Sequence, residues 1–164
     1  MSKFTTTHEI NCTPDRFWTI FFDKPTIENL YLNSLGVIDI QVVNQSELST
    51  RFFQKLGVKP KMNFPDPLAK LIGEEYRYTE EGTLDKTSNL FTWKWTPSTL
   101  VDKLKIEGVL RVQPIGDSKV RLISDVTVEI KVFGVGSLMD SVFEKQIRTD
   151  NEAKAVFYNQ LTAG

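Results

Sequence analysis

From Lys119 to Val132 the chain reads KVRLISDVTVEIKV, with apolar residues at almost every second position. Val120, Leu122, Val126, Val128, Ile130 and Val132 share one face, and Arg121, Asp125, Thr127, Glu129 and Lys131 supply most of the other. Period two over such a length dictates a strand with one face on a core and one in water. Ser124 is the odd member of the apolar face. Gly134 and Gly136 then punctuate the chain, and helical spacing follows almost to its end. A one-sided strand needs strands beside it and a cover above it.

The remaining segments supply the neighbours. Residues 3 to 12 alternate weakly, with Phe4, His8, Ile10 and Cys12 on one side, and read as a first strand. In CTPDRFW the period changes: Thr13 suits an N-cap, Pro14 the first helical position and Asp15 the positive helix end. Pro25 interrupts that helix, and PTIENLYLNSLG reads as a second one ending at Gly36. GVIDIQVVN and STRFFQKLGV form a hairpin around Gln45 to Leu48. KPKMNFPDPLAKLIG carries three prolines and a short helical stretch closed by Gly73. EEYRYTEE, NLFTWKWTP and KLKIEGVLRVQP are further strands, with turns at Glu81–Ser88, Pro97–Asp102 and Pro114–Ser118. Ser137 and Asp140 resemble a capping box for the final helix. Successive strands joined by short turns imply an antiparallel sheet of about seven strands, and segregated helices imply an α+β domain spanning residues 1–164.

Twenty basic against twenty-one acidic residues leave a formal charge of −1, which provides no long-range field toward phosphate and argues against nucleic-acid binding. The lone Cys12 forms no internal disulfide and reads as a small buried hydrophobe; with no signal-like h-region, a cytoplasmic protein is expected. One histidine, His8, is too few for a zinc site, so no metal and no cofactor are expected. GVGS lacks the third glycine and the following strand of a dinucleotide loop; its glycines let the chain turn sharply close to the sheet.

The order of elements resembles the START-like, helix-grip (SRPBCC) superfamily over nearly the whole chain. TPDRFW after a first strand, the paired helices to Gly36, the run of strands and KVFGVGSLMDSVFEKQI carry the resemblance. The last of these and KPKMNFPDPLAKLIG are most similar to an uncharacterised bacterial branch. The resemblance implies a curved antiparallel sheet wrapped around a long carboxy-terminal helix, with an apolar cavity between them. It implies lipids, sterols, polyketides or aromatic metabolites as ligands, in proteins that carry or sense them, in cyclase-type enzymes, or in partner-binding modules.

On the final helix, counted at roughly 100° per residue, Val135, Leu138, Met139, Val142, Phe143, Ala153, Val156, Phe157 and Leu161 fall on one broad face. Gln146 and Asp150 project from its middle. A buried carboxylate is costly, so either Asp150 is paired, protonated or near water in a pocket, or the helix leaves the sheet there and both residues are exposed. The acidic pairs Glu74–Glu75 and Glu80–Glu81 read as solvated strand ends. Phe91, Trp93 and Trp95 share a strand face, and Tyr76 and Tyr78 extend it into one aromatic surface. His8 is either a hydrogen-bonded structural residue or a cavity base.

The expected function is therefore binding or transport of a hydrophobic small molecule, a lipid or aromatic metabolite. The expected cavity lining is His8, Tyr76, Tyr78, Phe91, Trp93, Trp95, Ser124, Met139, Val142, Gln146 and Asp150. One alternative is a cyclase- or hydratase-type enzyme using Asp150 or His8 as general acid–base; another is a protein-interaction module without ligand. Lys55, Lys59 and Lys61 allow a weak membrane-surface contact. The 57–73 segment either gates the cavity or covers a sheet edge.

Overall fold

The computed structural model describes residues 1–163. Seven strands form one antiparallel sheet: β1 Ser2–Ile10, β2 Asp39–Glu47, β3 Arg51–Lys59, β4 Tyr78–Asp85, β5 Leu90–Pro97, β6 Leu104–Pro114 and β7 Val120–Ile130. Their order is β1-β7-β6-β5-β4-β3-β2, so every pairing but one joins strands consecutive in the chain. The exception, β1 with β7, sets Phe4, Thr6, His8 and Ile10 opposite Val126, Ser124, Leu122 and Val120.

Four α-helices, α1 Pro14–Phe21, α2 Lys24–Asn29, α3 Asp66–Ile72 and α4 Gly136–Thr162, complete the fold. Thr13 caps α1 by accepting from the Arg16 N–H, with Pro14 opening the helix. Asp23 caps α2 in the same way through Thr26. Beyond α2 the chain widens into a π turn, Leu30–Ser34, closed by the Leu35 N–H on the Leu30 carbonyl at 2.9 Å. Helix α4 packs along β1 and β7, α1 reaches β6, α2 faces β2, and the π turn touches α4. This is the helix-grip arrangement.

The crossing from β7 to α4 explains its glycines. Gly134 has φ +84°, and a Cβ on Gly136 would stand 2.9 Å from the Ile130 carbonyl oxygen. Helix α4 begins behind Val135, which offers no side-chain cap, so Ser137 and Asp140 are not a capping box. Asp140 is buried instead, with its carboxylate 2.7 Å from the Met1 amine.

Two further expectations are corrected. Glu81 to Asp85 is not a turn but the second half of β4, pairing Gly82 with Trp93 and Leu84 with Phe91. Tyr78, Glu80, Gly82 and Leu84 alternate inward, a strand period hidden by the acidic and glycine composition. On α4 the phase differs: Met139, Phe143, Ile147, Ala155, Phe157 and Tyr158 are buried, whereas Leu138, Val156 and Leu161 are exposed. The inward stripe includes Asp150, Asn151 and Lys154, so counting apolar residues alone misplaces it.

The connection from β3 to β4 closes one end of the grip. Leu68 and Ile72 of α3 are buried, and Phe64 packs against Tyr76 and Phe143 at ring-centre distances of 6.1 and 5.8 Å. Among the described residues, no helix is long and apolar enough to cross a membrane.

Candidate ligand cavity

Between the sheet and α4 lies a cavity of about 90 Å³, lined from every strand except β2 and from α1, α2, the π turn and α4. Its sheet wall is set by glycine. Trp93 sits in register between Gly82 of β4 and Gly108 of β6. The Phe91 ring lies over Gly82 and the Trp93 ring over Gly108, where a Cβ would come within 2.7 Å of Trp93 Cζ2. The missing side chains are thus replaced by aromatic rings laid against the sheet. Trp95 is half-buried, stacks on Tyr78 at 4.1 Å and 19°, and donates its indole N–H to Glu80 Oε1 at 2.9 Å.

The opposite wall is α4, where Ile147, Asp150, Lys154 and Tyr158 follow at helical spacing and face the cavity with Asn151. Asn151 donates to the Thr6 hydroxyl at 3.0 Å and ties the helix to β1. Asp150 accepts from the Gln146 amide at 2.9 Å. Burial pushes the Asp150 carboxyl above the usual carboxylate range, opposed by Lys154 and by the Gln146 hydrogen bond. Lys154 Nζ lies 5.6 Å from the centre of the Tyr31 ring.

Three tyrosines complete the polar lining: Tyr31 from the π turn, Tyr78 from β4 and Tyr158 from α4. Burial raises the pKa of all three phenols, and the Glu80 carboxylate raises each further, so they stay neutral at physiological pH. The hydrogen bonds of the wall run from Trp95 to Glu80, from Gln146 to Asp150, from Asn151 to Thr6 and from Gln45 to Gln54. The three phenol hydroxyls take part in none of these. Rings Phe17, Phe21 and Phe91 and the side chains of Leu56, Leu110 and Leu122 make the rest of the surface apolar.

Of the residues expected to line a cavity, the structure brings together His8, Tyr78, Phe91, Trp93, Trp95, Ser124 and Asp150. Tyr76, Met139, Val142 and Gln146 lie outside it. Tyr76 precedes β4 and packs in the α3 region, its hydroxyl buried without a partner. Met139 is fully buried in the first turns of α4, and Val142 packs against the core beside it. Gln146 acts on the cavity only through Asp150. Glu80, assigned to a solvated strand end, faces inward, and its position two residues from Tyr78 on a strand was the available signal. Tyr158 and Lys154 follow from Asp150 at i+8 and i+4 once the helix phase is known. For Tyr31 the sequence carries no signal, because a π turn sets its direction.

A seven-stranded antiparallel sheet closed on a carboxy-terminal helix, with a lined cavity between them, is the START-like, helix-grip fold. Residues 5–160 match the family described as "Protein of unknown function (DUF2505)", and the chain belongs to that family. Similar solved structures include a START superfamily protein from Mycobacterium smegmatis, at 13% identity and TM-score 0.61, covering 98% of this chain and 99% of that one. The ZhuI aromatase/cyclase from Streptomyces sp. R1128 is similar at 13% identity and TM-score 0.63, covering 99% and 98%. Norcoclaurine synthase from Thalictrum flavum, solved with a transition-state analogue, is similar at 16% identity and TM-score 0.66, covering 98% and 92%. No curated protein matches.

Proposed function

We propose that this protein binds a small, largely apolar molecule in the cavity between the sheet and α4. The observation that carries the reading is the combination in one cavity of aromatic and leucine walls with three phenol hydroxyls outside the wall's own hydrogen bonds. Burial of ligand surface supplies affinity, and a few polar groups fix orientation. A cavity of about 90 Å³ holds roughly half a dozen waters, the scale of a single-ring compound rather than of a lipid chain. Within the expected ligand classes this favours an aromatic metabolite.

Asp150 supports a second reading. A carboxyl kept protonated more readily by burial, among neutral phenols, is suited to donate a proton to a bound carbonyl or leaving hydroxyl. The aromatase/cyclase and synthase with similar folds show that the architecture also serves enzymes.

Native mass spectrometry of the purified protein against single-ring aromatics and fatty acids tests both readings. Stoichiometric retention of single-ring compounds, recovered unchanged after extraction, is the expected result. Transformation of the recovered compound establishes the enzyme reading, and a protein that stays empty across the panel overturns both.

A further inference from the structure

The charges around the cavity are not matched to one another. Glu80 and Asp150 are acidic and Lys154 is basic, and all three line the same space. Among the described residues, the ion pairs include none of them. Lys154, one helical turn from Asp150, is nevertheless close enough to favour its ionised form, and Gln146 donates to the same carboxylate. Among the described residues, Glu80 makes no ion pair and accepts from no amide side chain. Its one hydrogen-bond donor is the neutral Trp95 indole, which leaves most of the acceptor capacity of its carboxylate unused.

The surroundings of Glu80 suit a cation. Tyr78 and Trp95, stacked on each other, flank it, and its field reaches the phenols of Tyr31, Tyr78 and Tyr158. Aromatic faces attract ammonium groups, and a half-buried carboxylate such as that of Glu80 gains from a charged donor. The protein's own ammonium already approaches the Tyr31 ring from α4.

We propose that the ligand of this cavity is an aromatic amine, whose protonated nitrogen is held by Glu80 against Tyr78 and Trp95 while its ring rests on Phe91 and Trp93. This deepens the proposed binding function and depends on it. Lys154 acts as an internal competitor: its charge offsets part of the acidic field that the ligand's ammonium would otherwise experience.

Three probes of equal ring and chain separate head-group charge from shape: phenethylamine, phenethyl alcohol and phenylacetate, titrated by quenching of tryptophan fluorescence at neutral pH. Phenethylamine is expected to bind about tenfold or more tighter than the alcohol, as for a hydrogen bond to a charged group, with phenylacetate weakest. Glu80→Gln is expected to bring the amine-to-alcohol ratio close to one. Lys154→Met is expected to raise that ratio, and this second variant decides the matter should Glu80→Gln lose its cooperative thermal unfolding. Alcohol binding with no amine preference, or an amine preference that survives Glu80→Gln or falls in Lys154→Met, overturns the charge proposal while the cavity reading stands. Failure of all three probes to bind overturns both.

Discussion

Trp93 shows how a single aromatic side chain shapes both the sheet and the cavity. Glycine on each neighbouring strand leaves hollows on the inner face, and the Trp93 and Phe91 rings settle into them. A side chain at Gly82 must push the Phe91 ring off the sheet and toward the cavity, and one at Gly108 meets the Asp125 carbonyl oxygen at 2.6 Å as well as the Trp93 ring. Gly82→Ala, whose added Cβ meets the Phe91 ring, is therefore expected to destabilise the protein by about 1–3 kcal/mol, the usual cost of overpacking. Equilibrium urea unfolding reads the change, and a wild-type midpoint would show that the ring does not rest there. The aromatic row was legible as one strand face because alternation is local. That its rings lie on glycines was not, because the register of three strands decides it.

At the scale of the element, α4 sets the polarity of the cavity. Its inward stripe runs Met139, Phe143, Ile147, Asp150, Lys154 and Tyr158, apolar at the start and increasingly polar where it faces open space. Burial raises the folded-state pKa of Asp150 above its unfolded value, so the folded state holds the proton more tightly. The stabilisation that follows is present at low pH and declines as pH rises through the carboxylate range. Asp150→Asn mimics the protonated form and removes this loss. Thermal unfolding from acid to neutral pH is expected to show the variant gaining on the wild type as pH rises, whereas a constant difference would mean that Asp150 titrates normally. The existence of α4 and its polar midpoint were legible from its spacing. Its rotation was not, because a helix that faces a cavity departs from the apolar pattern used to orient it.

At the scale of the whole molecule, residual empty space is kept at a cost to packing. Ser124 stands on the inward face of β7 and lines the cavity opposite Thr6. Ser124→Val fills part of that space with apolar volume on a strand that favours β-branched residues. The variant is expected to gain about 1 kcal/mol in stability, raising Tm by about 2–4 °C, and to lose affinity for aromatic ligands. A calorimetric melt with a parallel ligand titration checks it; a lower Tm with unaltered binding would show that Ser124 faces no usable room.

The strands, their antiparallel pairing and the aromatic face were legible in the sequence, because periodicity, caps and turns act over a few residues, whereas the helix-grip layout was read from the resemblance of the element order to a known superfamily. Asp150 was legible as a polar group amid apolar neighbours for the same local reason. The pairing of β1 with β7 across the chain, the π turn that brings Tyr31 to α4, and the inward position of Glu80 beside Trp95 emerge only from the folded chain. So does the placement of Tyr76 and Met139 in packed core rather than in the cavity. Those outcomes depend on register and helix rotation between distant segments, and on where packing leaves a gap, none of which a local pattern encodes.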